Sequence, residues 1–228
     1  MRSGSFYDIL SDLNDSMYQG NTDYKNWKVI DTYTDNSGVH INLYKDGEDV
    51  LFAIKGTEVE LNRKGYDDIK ADLSLAVPKV IPHQFKAACS YFESIKEIYP
   101  NIVFTGYSLG GSIAQLLGSK YGNETITFCA YGTGQMLKSD GSNIRNYGNA
   151  ADPIFLANFD NQIGSVYIMP VHFEKTLNPL YYHMMFQHGK PSEANKFTGN
   201  FVELVKKYDV PFIDKVAQYL RKGMLGQN

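Results

Sequence analysis

The sequence predicts an α/β fold: a sheet with an antiparallel N-terminal edge and a parallel centre, flanked by helices. Three observations carry this. The extended runs 27–33, 39–44 and 50–54 are joined by Asp35-Asn36-Ser37-Gly38 and Lys45-Asp46-Gly47-Glu48, connections too short for a parallel crossover and suited to hairpins. Past Pro100 the order becomes strand, helix, strand, which implies right-handed crossovers in a parallel sheet. The 228 residues are 43% apolar, 14% aromatic and 21% charged, enough apolar surface for the core of one domain spanning 1–228.

The elements follow in order. Residues 5–18 read as an amphipathic helix, with Phe6, Ile9, Leu10, Leu13 and Met17 at helical spacing. After the three extended runs, residues 58–70 are charged and polar, a surface loop or short helix. Residues 82–99 read as a second helix with Phe85, Ala88, Cys89, Phe92, Ile95 and Ile98 on one face and Pro82 in its first turn. The run 101–106 is a strand buried on both faces, 112–121 a helix and 125–130 another buried strand. Residues 144–147 and 166–169 are further strands, and 195–208 and 212–222 are helical.

Several function classes drop out. The net charge is −3 and there is no long basic block, so the footprint of a nucleic-acid binder is missing. No apolar run approaches the roughly 20 residues of a membrane span. Asp8, Asp12 and Asp15 interrupt what would be the apolar region of a signal peptide. The two cysteines, Cys89 and Cys129, sit in apolar patterns, against a disulfide framework or a cysteine metal site. No histidine and carboxylate spacing matches H-E-x-x-H, so no metal and no cofactor is expected. The expected location is cytoplasmic, or exported without an ordinary signal peptide.

The chemistry centres on Gly106-Tyr107-Ser108-Leu109-Gly110. This G-x-S-x-G lies where a buried strand ends and a helix begins, the setting of a nucleophile elbow. Ser108 would occupy a strained turn with its hydroxyl above the sheet, while Gly106 and Gly110 let strand and helix cross closely. The backbone N–H of Leu109 would then be one donor to an oxyanion.

Gly-Tyr-Ser-Leu-Gly-Gly-Ser-Ile-Ala at 106–114 resembles the elbow of the class 3 lipase-like family of α/β-hydrolases. The segment 51–57, Leu-Phe-Ala-Ile-Lys-Gly-Thr, is similar to that family's strand ending in F-R-G-T. Asp67 with Asp72-Leu73 resembles its D-x4-D-L stretch. The likeness runs from about Val50 to Met169. Tyr107 stands where the family most often has His, and Lys55 where it has Arg.

The resemblance implies a serine hydrolase acting on carboxylic esters, lipid acyl esters among them, with the chain order Ser, Asp, His. A serine needs an imidazole to take its proton, and the imidazole a carboxylate to fix its tautomer. Asp152, just past the strand 144–147, is the expected acid; its plain alternative is a turn residue before Pro153. Asp140 and Asp160 do not follow a strand directly. Of five histidines, His40 and His83 precede the acid and His172 follows the last strand too closely. His183 lies in a stretch resembling the family's late histidine segment and is the expected base. His188 is the alternative. Thr57 would supply the second oxyanion donor by resemblance. The partner is a small-molecule or lipid ester, with transient membrane-surface contact allowed. An acyltransferase or thioesterase with the same three residues, and a non-catalytic binding domain, stay open as alternatives.

Overall fold

A strand reads as apolar on alternate residues when one face is covered and on every residue when both are. Both patterns occur in the computed structural model, which describes residues 2–20, 23–55, 69–170, 183 and 189–210, with the backbone alone for 69–77. Helix α1 (Gly4–Tyr18) precedes the strands β1 (Lys28–Thr34), β2 (His40–Asp46) and β3 (Asp49–Lys55). These pair antiparallel in sequence. Helix α2 (Ile69–Ile95) leads to β4 (Ile102–Tyr107), α3 (Leu109–Tyr121) and β5 (Thr125–Phe128). Then come β6 (Ile144–Gly148), α4 (Pro153–Ala157) and β7 (Ser165–Ile168), followed by β8 (Asn195–Phe197) and α5 (Phe201–Tyr208).

The strands lie side by side in chain order, β1 to β8. Pairs from β3–β4 through β6–β7 are parallel, and β8 returns antiparallel against β7. Right-handed crossovers that always advance in one direction put their helices on one face of the sheet. Accordingly, Ala88 and Phe92 of α2 and Ile113 and Leu117 of α3 share a core with Phe52, Ile54 and Phe104. Helix α1 covers the opposite face, packing Tyr7, Leu10, Leu13 and Met17 on Leu51, Ala53, Val103 and Phe128. Neighbours in β3 thus point to opposite cores. The buried Asn14 side chain ties α1 to the sheet, donating to Thr105 Oγ1 at 3.0 Å and Leu10 O at 2.8 Å. No helix among the described residues is long and apolar enough to cross a membrane.

The structure departs most from the sequence expectation at three boundaries. The helix expected at 82–99 starts at Ile69 and runs through Pro78 and Pro82. Each proline forfeits a backbone bond, but packing holds the helix continuous: Ile81 is fully buried and Gln84 Nε2 donates to Ser37 O at 3.1 Å. The helix also stops at Ile95, leaving Ile98 66% exposed. The helical pattern at 195–208 divides into β8 and α5. The break is chemical, because Asn200 and Glu203 form a reciprocal capping box that starts a new helix. Residues 58–68 and the helix expected at 212–222 lie outside the described residues.

Candidate active site

Ser108 follows β4 directly, with φ 55° and ψ −122°. A non-glycine residue there stores of order 1–3 kcal/mol and needs its surroundings to impose it. They do so through hydrogen bonds and close packing. Ser108 N donates to Phe128 O at 2.9 Å, and Ser112 N donates to Ser108 O at 3.1 Å. Ser112 Oγ ties the same turn to Tyr131 O at 2.9 Å. A Cβ on Gly106 would collide with the backbone of Gly110, and one on Gly111 would sit 2.9 Å from Ala130 Cβ. Only glycine allows β4 and α3 to approach this closely.

Asp152 is fully buried and is the N-cap of α4. Its Oδ1 accepts from Ile154 N at 2.9 Å and Phe155 N at 3.2 Å, with Pro153 at the first helical position. The turn before it is held by Asn149, whose Oδ1 accepts from Ala151 N at 2.8 Å. The capping role and the role of acid are therefore compatible in one side chain.

His183 lies between the two. Its Nδ1 is 2.9 Å from both Asp152 oxygens and its Nε2 is 2.8 Å from Ser108 Oγ. An ionised carboxylate only accepts, so Nδ1–H donates to Asp152 and Nε2 is left to accept from the Ser108 hydroxyl. The His183 side chain is 13% exposed, and Asp152 is shut off from solvent. Ser108 follows the carboxyl end of β4 and Asp152 that of β6, and His183 comes later in the chain than β7.

Two neighbours went unread in the sequence. The Tyr107 ring stacks on His183, centroids 5.1 Å apart and planes 27° apart. Cys129, just after β5, has φ 50°. Burial pushes its thiol well up, and the charge of Asp152 and a hydrogen bond to it act in the same direction. No sequence signal marks either contact, since each joins elements far apart in the chain.

Leu109 is the first residue of α3, where a backbone N–H has no partner inside the helix and is available to an anion. Thr57, His172 and His188 lie outside the described residues. His40 pairs with Asn42 Oδ1 at 3.1 Å on β2, and His83 is exposed on α2. Asp140 accepts from Ser142 N and Asp160 from Phe201 N, both apart from this cluster. Among the described residues, no group of three or more His, Cys, Asp or Glu is placed to hold a metal ion.

No family model matches the chain. It is 35% identical over 89 residues to a Meyerozyma guilliermondii protein named "Putative lipase ATG15", covering 32% of this chain and 15% of that one. It is 27% identical over 143 residues to the Pichia angusta protein of the same name, covering 54% and 27% respectively. The chain thus matches about a quarter or less of the length of these relatives. In structure it is similar to a triacylglycerol lipase from Penicillium expansum, with a TM-score of 0.55 and 10% identity. That alignment covers 86% of this chain and 84% of the other. A second fungal lipase structure gives a TM-score of 0.55 at 11% identity, covering 86% of both chains.

Proposed function

We propose that this chain, a lipase-like α/β-hydrolase in fold and in its matched sequence, hydrolyses carboxylic esters through an acyl-enzyme on Ser108. The observation that carries the proposal is the unbroken hydrogen-bond chain from Ser108 Oγ to His183 to Asp152, at 2.8 and 2.9 Å. Those are the distances over which a proton can pass.

The geometry supports the following steps. As Ser108 Oγ attacks the ester carbonyl, His183 Nε2 takes its proton and Asp152 stabilises the imidazolium through Nδ1–H. The carbonyl oxygen gains negative charge and turns to the Leu109 N–H, with Thr57 as the second donor expected from sequence. His183 returns the proton to the leaving alkoxide, giving the alcohol and the acylated serine. Water, deprotonated by the same nitrogen, then releases the acid and restores Ser108. Lipid acyl esters are the proposed substrate class, supported by the lipases that the chain resembles in sequence and fold.

A soluble p-nitrophenyl ester tests this. Ser108→Ala and His183→Ala should each lose on the order of 10⁴–10⁶ in turnover, because members of such a unit fail together. His188→Ala should stay within roughly tenfold of wild type. A Ser108→Ala protein with wild-type turnover would sink the proposal. A dead His188→Ala beside an active His183→Ala would reassign the base and leave the enzyme class standing.

A further inference from the structure

We infer that Tyr107 is a positioning residue for His183: its ring holds the imidazole against tilt and stabilises the imidazolium formed as Ser108 attacks. The inference rests on the proposed role of His183 as base.

Two hydrogen bonds hold His183, one at each ring nitrogen. An imidazole's N–H and nitrogen lone pair lie in its ring plane, so neither bond resists tilt about the axis that joins the two nitrogens. A flat surface against one face does. Tyr107 supplies it, with ring centroids 5.1 Å apart and planes 27° apart. Tyr107 cannot easily yield. It is 7% exposed and ends β4, a strand buried along its whole length. Tyr18 packs edge-on against its ring at 5.5 Å and 83°, and the Tyr18 hydroxyl donates to Tyr107 O at 3.3 Å.

The stack also has an electrostatic consequence. An aromatic face carries partial negative charge and attracts a cation above it. Neutral imidazole gains little from this; imidazolium gains more. The charge exists only while Ser108 is attacking or leaving, so the contact is stronger in the transition state than in the ground state. Such a contact raises kcat and leaves KM nearly unchanged. The phenol hydroxyl is not needed for it. Among the described residues it has no hydrogen-bond partner. Burial, followed by the neighbouring Cys129 and Asp152, pushes its ionisation well up, so the ring remains a neutral phenol at working pH.

The test compares wild type, Tyr107→Phe and Tyr107→Leu on a soluble ester, reading kcat, KM, thermal unfolding and the rate of Ser108 labelling by a fluorophosphonate. Tyr107→Phe should keep kcat within about twofold and unfold no earlier, because it retains the ring and drops a buried hydroxyl that has no partner among the described residues. Tyr107→Leu should lower kcat and labelling rate by about tenfold with KM within about twofold. If the leucine variant does not fold, Tyr107→Met, flexible enough to fill the ring's volume, carries the same expectation. A folded Leu or Met variant with wild-type kcat overturns the inference, as does a change confined to KM or a Phe variant as impaired as Leu. A folded wild type that the probe does not label sinks the proposed function itself; normal labelling with an indifferent Tyr107→Leu sinks this inference alone.

Discussion

At Asp152 one carboxylate serves the fold and the site together. Burying an unpaired carboxylate costs several kcal/mol or more; here Ile154 N–H, Phe155 N–H and His183 Nδ1–H all donate to it. The two roles separate by substitution. Asn caps a helix about as well as Asp, but its NH₂ group would face Nδ1 and favour the wrong tautomer of His183. Asp152→Asn should therefore lose on the order of 10⁴ in turnover while its unfolding temperature falls by only a few degrees. Asp152→Ala should lose both, adding about 1 kcal/mol of capping to the loss of turnover. Turnover and thermal unfolding of the two variants check this; an active Asp152→Asn would remove Asp152 from the proton chain. Ser108 and Asp152 were legible in the sequence because a strand end precedes each. His183 was legible only as one of a pair with His188, since chain order cannot say which imidazole turns toward Ser108. The Tyr107 stack and the Cys129 thiol were not legible at all, because they depend on how β4, β5 and residue 183 meet in space.

The elbow shows how much a single element can demand of its residues. Both Gly106 and Gly122 are called for, but for different reasons. Gly122 caps α3 with φ 78° and has open space around its Cβ position, so Gly122→Ala costs roughly 1 kcal/mol of backbone strain. At Gly106 the added carbon meets Gly110 backbone in a buried crossing, and neither strand nor helix can move without disturbing the Ser108 turn. Gly106→Ala should cost several times as much, of the order expected for an overpacked core. Chemical denaturation of the two variants measures the difference; equal losses would mean that the crossing is not tight. Hairpin strands were legible because their turns are short and rich in Asp, Asn and Gly. The start of α2 and the break between β8 and α5 were misread for different reasons. The local signal at Pro82 was followed where the burial of Ile81 decides the outcome, whereas across 195–208 the local capping box of Asn200 and Glu203 was passed over in favour of one continuous helical pattern.

Across the whole molecule, the site exists only as a product of the sheet. Ser108 comes after β4, Asp152 after β6 and His183 after β7, the side of a parallel sheet where ligand sites gather. The parallel centre beyond an antiparallel edge was legible from the β-α-β pattern and the short hairpin turns; the strictly sequential strand order was not, because crossover handedness leaves the direction of each step open. Unfolding must therefore abolish reactivity while leaving every residue present. The most direct measurement is fluorophosphonate labelling followed by peptide mapping, on native and denatured protein and on Ser108→Ala and His183→Ala. The native chain should take up one label, on Ser108, and the denatured chain and both variants should take up none at the same exposure. A native chain that stays unlabelled, or a Ser108→Ala variant labelled to the same extent elsewhere, would contradict the assignment of Ser108 as an activated nucleophile.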